Sequence, residues 1–231
     1  MAFILCIETA TEICSVAIAR NGETIALAED ALGNSHAAQL HILVGKALHA
    51  AGITLQQLEA IAVSKGPGSY TGLRVGISAA KGYCYALQIP LIAINTLQSL
   101  ANGYWLKNPH FSGLVCPMID ARRMEVYCAL YNAKLQEVMP TQAKIIDQES
   151  FKADLLQNEI VFTGNGAAKC ESTINTPHTP NALFDVSVVC NASYLSNLAQ
   201  QAFTQKQFED VAYFEPFYLK DFVGTVAKKL V

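Results

Sequence analysis

The chain has 231 residues, 52% of them apolar and only 15% charged, with a formal net charge of −3. So much apolar material supports one large or two small domains, and so little charge leaves apolar surface that a partner normally covers. Lysines and arginines number 16 against 19 acids, with four arginines in all, which argues against a chain that grips nucleic acid through a basic surface of its own.

The first residues, MAFILCIETA, are apolar without a basic lead and are interrupted by Glu8, so they predict a buried strand rather than a signal peptide. Strands are expected over 3–8, 13–20 and 24–30, the last two joined by the turn pair Asn21 and Gly22. A helix follows over 35–51 and stops at Gly52. Then come a strand over 61–64, the loop GPGSYTG, a helix over 71–87, a strand over 91–94 and a helix over 96–105. The uncharged run 82–106 contains Gln88, Pro90, Asn95, Gln98 and Asn102, and therefore reads as helix end, strand and helix, not as a membrane span. The order βββαβαβα makes residues 1–108 a first α/β domain.

After a joint at 108–113 the pattern begins again. IETATEICSVAIARNGE from Ile7 can be laid without gaps over IDARRMEVYCALYNAKL from Ile119, which sets Glu8 on Asp120 and 15–19 on 127–131. This weak internal duplication predicts a shorter second domain over 109–231, with a helix near 150–157, a strand over 160–163, a GNG turn at 164–166 and a late helix over 192–203. Two related domains result, each a mixed sheet with flanking helices.

The loop SKGPGSYTGLRVGISAAKG, residues 64–82, follows a strand and opens a helix, the place where backbone N–H groups hold an anion. Its spacing is neither that of a P-loop, which needs lysine after the last glycine, nor that of the dinucleotide fingerprint. The simpler reading is a sharp turn at Gly66 and Gly68 with Ser69 or Thr71 capping the helix. Along that helix Gly72, Gly76, Ala79 and Tyr83 share one face, while Leu73, Ile77, Ala80, Cys84 and Leu87 form a separate core stripe. The helix before it has a core stripe of Leu40, Val44, Ala47, Leu48 and Ala51 and a second face of Ala38, Ile42, Gly45 and His49, with Lys46 its one formal charge. Two nearly uncharged helices are covered on two sides, either by their own sheet and a foreign subunit or wholly within the chain.

Glu8 and Asp120 end matching strands, where acids either cap a turn or approach a metal–nucleotide complex. His36, His41 and His49 have no pair three or four apart, so they predict no metal site. The seven cysteines contain no CxxC and read as buried, reduced thiols. Ser69 and Thr71 have no histidine or lysine tied to them in sequence, and no G-x-S-x-G occurs.

The segments ILCIETATEICSVAIA, SHAAQLHILVGKALHAAG, LEAIAVSKGPGSYTGLRVGISAAKGYCYAL, DARRMEVYCALY and FEPFYLKDF closely resemble the bacterial TsaB (YeaZ) family of tRNA threonylcarbamoyladenosine biosynthesis proteins. The resemblance covers the first half and anchors in the second. It implies the duplicated actin-like ATPase and sugar-kinase fold and a non-catalytic, cytoplasmic subunit. Its partners would be TsaD, the larger catalytic paralogue, bound through the first two helices of each, and the ATPase TsaE, with TsaC supplying the activated threonylcarbamoyl group and tRNA met only through the complex. The partner face would be Ala38, Ile42, Gly45, His49, Gly72, Gly76, Ala79 and Tyr83. In the paralogue two metal-binding histidines follow the strand after the glycine-loop helix; here Thr96 and Leu100 stand in those places, which implies no metal and no catalytic residue. No cofactor is expected to bind tightly, though ATP or ADP at the complex interface would meet Glu8, Gly66, Gly68, Ser69 and Asp120. A homodimer is expected when the chain is alone. A stand-alone actin-fold ATPase or kinase is the alternative, and a metallopeptidase a weaker one.

Overall fold

The structure, a computed structural model, describes residues 2–30 and 35–220. The last two residues of the FEPFYLKDF motif lie outside them. In the first half, strands β1 (Phe3–Glu8), β2 (Cys14–Arg20), β3 (Glu23–Asp30), β4 (Ala60–Gly66) and β5 (Leu91–Asn95) form one sheet in the order β3-β2-β1-β4-β5. β1, β2 and β3 run antiparallel, while β1, β4 and β5 are parallel. Asn21 and Gly22 take the expected β2–β3 turn, both at positive φ (53° and 86°).

β1 and β2 are apolar on both sides because both faces of the sheet are covered. Leu5, Ile7, Val16 and Ile18 face helices α1 (His36–Ala51) and α2 (Tyr70–Leu87). Ile4, Cys6, Ala17 and Ala19 face the opposite way, onto a 3-10 turn at Ala192–Leu195 and helix α6 (Ser196–Thr204). Residues like Ile4, Leu5 and Ile7, fully buried, each contribute about 1.5–3 kcal/mol.

That packing corrects the division at 108/109. Residues 192–204 lie beyond the second sheet in sequence yet cover the first, because β1, β2 and β5 present an apolar face that α1 and α2 cannot reach.

The second half forms a sheet from β6 (Leu114–Asp120), β7 (Glu125–Tyr131), β8 (Glu137–Ile145), β9 (Ile160–Thr163) and β10 (Ala182–Asp185), in the order β10-β9-β6-β7-β8. It repeats the first sheet's topology, with one difference in register. Glu8 pairs with Ser15 in the first hairpin, but Asp120 pairs with Val126 in the second. The second turn is one residue shorter, so the ungapped superposition slips by one position on the returning strand.

The expected helix near 150–157 shrinks to α4 (Lys152–Leu155), entered from Phe151 at φ 64°. Three elements escape the sequence reading: β8, an edge strand carrying Pro140; β10; and the one-turn helix α5 (Glu171–Ile174). Helix α3 (Thr96–Lys107) joins the halves: its Leu97, Leu100, Ala101 and Tyr104 bury against Val115, Ile119, Ala129 and Val161. All seven cysteines are buried and unpaired, and burial pushes the Cys6 thiol up to about 12.

Candidate functional site

Two surfaces are built by the segments singled out in the sequence. The first is the outer side of α1 and α2. α1 ends at Gly52 in the left-handed conformation (φ 66°) and buries Leu40, Leu43, Val44, Ala47 and Leu48. Its other face, Ala38, Ile42, Gly45 and His49, is exposed, Ile42 by 52%. From α2, Tyr83 stands beside it at half exposure, with its hydroxyl 2.8 Å from His41 Nδ1. Ala79 is half-buried on the rim of the core.

Gly72 and Gly76 are a correction: they do not open α2 to a partner. A Cβ on Gly72 would lie 2.1 Å from the Thr9 carbonyl oxygen, and one on Gly76 would lie 2.2 Å from Thr9 Oγ1. A Cβ on Gly68 would lie 2.4 Å from the Ala10 carbonyl oxygen. Gly68 in the loop and Gly72 and Gly76, one helical turn apart on α2, form a seat into which the turn after β1 is pressed. The glycine that α2 does show to solvent is Gly82, with nothing within 4 Å of an added Cβ, near Tyr85 at 76% exposure. Its signal was present as a mid-helix glycine without a cap. Of the three lysines and arginines on these helices, two are occupied by the chain's own end. Arg74 Nε donates to Tyr218 Oη at 3.1 Å, and Lys81 Nζ to the carbonyls of Ala212 and Phe214 at 3.1 and 3.0 Å. The second side of α2 is therefore covered in part from within.

The second surface is a cleft of about 660 Å³ between the two halves, lined among others by Glu12, His36, Ser69, Tyr70, Asp120 and Asn165. Around its glycine loop three N–H groups already have partners. Ser69 N donates to the Ala10 carbonyl at 2.7 Å, Gly72 N to Ser69 Oγ at 3.2 Å, and Gly66 N to Thr96 Oγ1 at 3.1 Å. Thr96 is fully buried in that role, and Leu100 belongs to the seam between the halves. Among the described residues no group of three His, Cys, Asp or Glu side chains is placed to hold a metal ion.

The two strand-end acids have diverged. Glu8 is completely buried; its Oε1 accepts from Ala10 N and Ser64 Oγ, both at 2.7 Å, and its Oε2 has no partner. Burial raises its carboxyl above the usual range, against the pull of those hydrogen bonds and of His36. Asp120 is exposed. Partial burial raises its carboxyl, but Lys169 at 2.6 Å and the Arg122 amide outweigh this and hold it below the usual range. Asn165 of the GNG turn accepts from Asp120 N at 3.1 Å and donates to Glu12 at 3.0 Å, spanning the cleft. Glu8 thus lies behind the loop of Gly66, Gly68 and Ser69 and Asp120 faces that loop across the cleft, but an acid buried away from the cleft does not fit a tightly held magnesium–nucleotide.

A family model described as TsaD, tRNA N6-adenosine threonylcarbamoyltransferase, matches residues 30–230. The chain is 38% identical over 143 residues to the tRNA threonylcarbamoyladenosine biosynthesis protein TsaB of Bacillus subtilis, a match that spans 60% of each chain. It is 30% identical over 230 residues to the TsaB protein of Haemophilus influenzae, covering 94% of this chain and 93% of that one. Among solved structures, YeaZ from Pseudomonas aeruginosa superposes with a TM-score of 0.78 at 28% identity, over 95% of this chain and all of that one. An activator of 2-hydroxyisocaproyl-CoA dehydratase from Clostridium difficile, with bound ADPNP, matches at a TM-score of 0.53 and 10% identity over 90% of this chain and 98% of that one, a likeness of fold alone.

Proposed function

This chain belongs to the TsaB (YeaZ) family of tRNA threonylcarbamoyladenosine biosynthesis proteins, and on that premise we propose that it is a non-catalytic scaffold subunit that binds and activates a TsaD-type threonylcarbamoyltransferase. The observation that carries the reading is the outer face of α1 and α2. Ala38, Ile42, Gly45, His49, Ala79, Gly82 and Tyr83 present apolar and small side chains with a single lysine, Lys46, beside them. Small residues let a second helix pair approach closely, and an apolar, nearly uncharged patch is what a stable interface buries. The same face supports self-association of the isolated chain as a homodimer. TsaE joins the assembly in this reading, tRNA is met through the catalytic partner, and the site of action is the cytoplasm. ATP or ADP, where the assembly holds it, depends on groups the partner supplies.

The test is capture by an immobilised TsaD-type partner. Ile42→Asp and Gly45→Arg each place a charge on the open face, with no neighbour within 4 Å of a Cβ at Gly45. An unpaired charge at the centre of an interface costs several kcal/mol, so capture falls by roughly a hundredfold or more while thermal unfolding stays unchanged. Capture at the unmodified level by both variants would sink the proposal. Tight ATP–magnesium binding by the isolated chain in calorimetry would favour a stand-alone enzyme instead.

A further inference from the structure

The stretch 209–220 leaves the outer edge of the first sheet, crosses α2 and ends over the cleft. Glu209 N donates to the Leu91 carbonyl at 2.9 Å, and Val211 and Phe214 pack on the first core. Lys81 holds the Ala212 and Phe214 carbonyls. Phe217 N donates to the Lys65 carbonyl at 2.7 Å, and its own carbonyl fills the space beside Gly66, where a Cβ would lie 2.5 Å away. Tyr218 stacks on Tyr70 with ring centroids 4.7 Å apart, and the Arg74 guanidinium lies 4.2 Å from the Tyr70 centroid on the way to the Tyr218 hydroxyl. Lys220 then pairs with Glu125 on β7, in the other half.

The two sides of the cleft differ in what holds them. At the back, α3 and the second sheet form a dry apolar seam. At the mouth, the crossing contacts are polar and exposed: Lys220 with Glu125, and Asn165 with Glu12. Such a body opens at its mouth and hinges at its seam, because exposed polar contacts exchange readily with water while a packed seam does not.

We propose that residues 209–220 are a latch: the Tyr70–Arg74–Tyr218 clamp anchors it to the first half, Lys220–Glu125 is its catch on the second, and its release opens the cleft beside the glycine loop. The test is amide hydrogen exchange, read by mass spectrometry on the full chain. An exposed ion pair contributes little, so Lys220→Glu and Glu125→Lys each raise exchange at 68–71 and 121–124 by only about threefold to tenfold. Tyr218→Ala raises it at least as much, and β1, β4 and β6 are unaffected in all three. The double variant Lys220→Glu with Glu125→Lys restores the catch with its charges reversed and returns both segments to the original rate. Unchanged exchange in the single variants, failure of the double variant to restore it, or a rise spread through the core strands would each overturn the latch.

Discussion

The two halves carry one topology and spend it differently. Each sheet has its long antiparallel hairpin beside two parallel strands, and each central strand ends in an acid. Over the first sheet lie helices of 16 and 18 residues, long enough to bury one stripe and leave another open. In the second half α4 and α5 have 4 residues each, enough to close a core of Phe151, Leu155, Cys170 and Ile174 but too short to offer a docking face. The acid of the first half has sunk into the protein, where burial favours its neutral form, whereas the acid of the second stays at the surface, where Lys169 favours its charged one. The two frames share a topology, and helix length leaves an open helical face on the first alone.

The capture experiment with Ile42→Asp and Gly45→Arg has the largest expected effect on binding, because it reads the face that only the first half has. The largest expected effect on stability comes from Gly72→Ala. Its methyl group meets the Thr9 backbone at 2.1 Å, so α2 or the turn after β1 must shift. A loss of about 2–3 kcal/mol in denaturant unfolding is expected. Gly45→Ala, where no atom lies within 4 Å, is expected instead to be neutral or to stabilise by up to about 1 kcal/mol, since alanine is the better helix former. Equal effects at the two positions would undo the distinction between the seated and the open glycines.

The acids provide the next contrast, in the sign of a pH slope. Glu8 is raised from an ordinary value of 4.5. The folded state thus holds its proton more tightly, and the stabilisation is full below that value and is lost as pH rises through the higher folded one. Glu8→Gln retains an acceptor for Ala10 N and Ser64 Oγ but cannot ionise, so the alkaline-side fall in stability flattens. Asp120 is lowered from an ordinary 3.8, so its contribution is present above that value and disappears as pH falls through the lower folded one. The smallest effect is Asp120→Asn: its side chain is 46% exposed, so the loss near neutrality stays under about 0.5 kcal/mol and vanishes in acid. Stability measured from pH 3 to 9 checks both, and slopes of the same sign would show that the two acids are not opposed in state.

Much of the first half was legible because its signals are local. Continuous apolar runs marked β1 and β2, the Asn21–Gly22 pair marked the turn from β2 to β3, and Gly52 marked the end of α1. Helical spacing also separated the two faces of α1 correctly, as Leu40 and Val44 on one side and Ala38 and Ile42 on the other. In the second half β8 carries Pro140 and alternates only weakly between buried and exposed, and β10 has four residues, too few to show a period.

Residue order alone therefore determined the succession of strands and helices in the first half, the duplication, and the presence of small residues on one side of α2, since all of these are written in short stretches of the chain. It did not determine what those small residues face. Thr9 fills the hollow at Gly72 and Gly76, Phe217 fills the one at Gly66, and the segment from Ala192 covers a sheet begun at Phe3. Only the tertiary structure decided these, because each joins positions far apart in the chain, and which distant segment reaches a surface first is settled by the packing of the whole rather than by any periodicity in its parts.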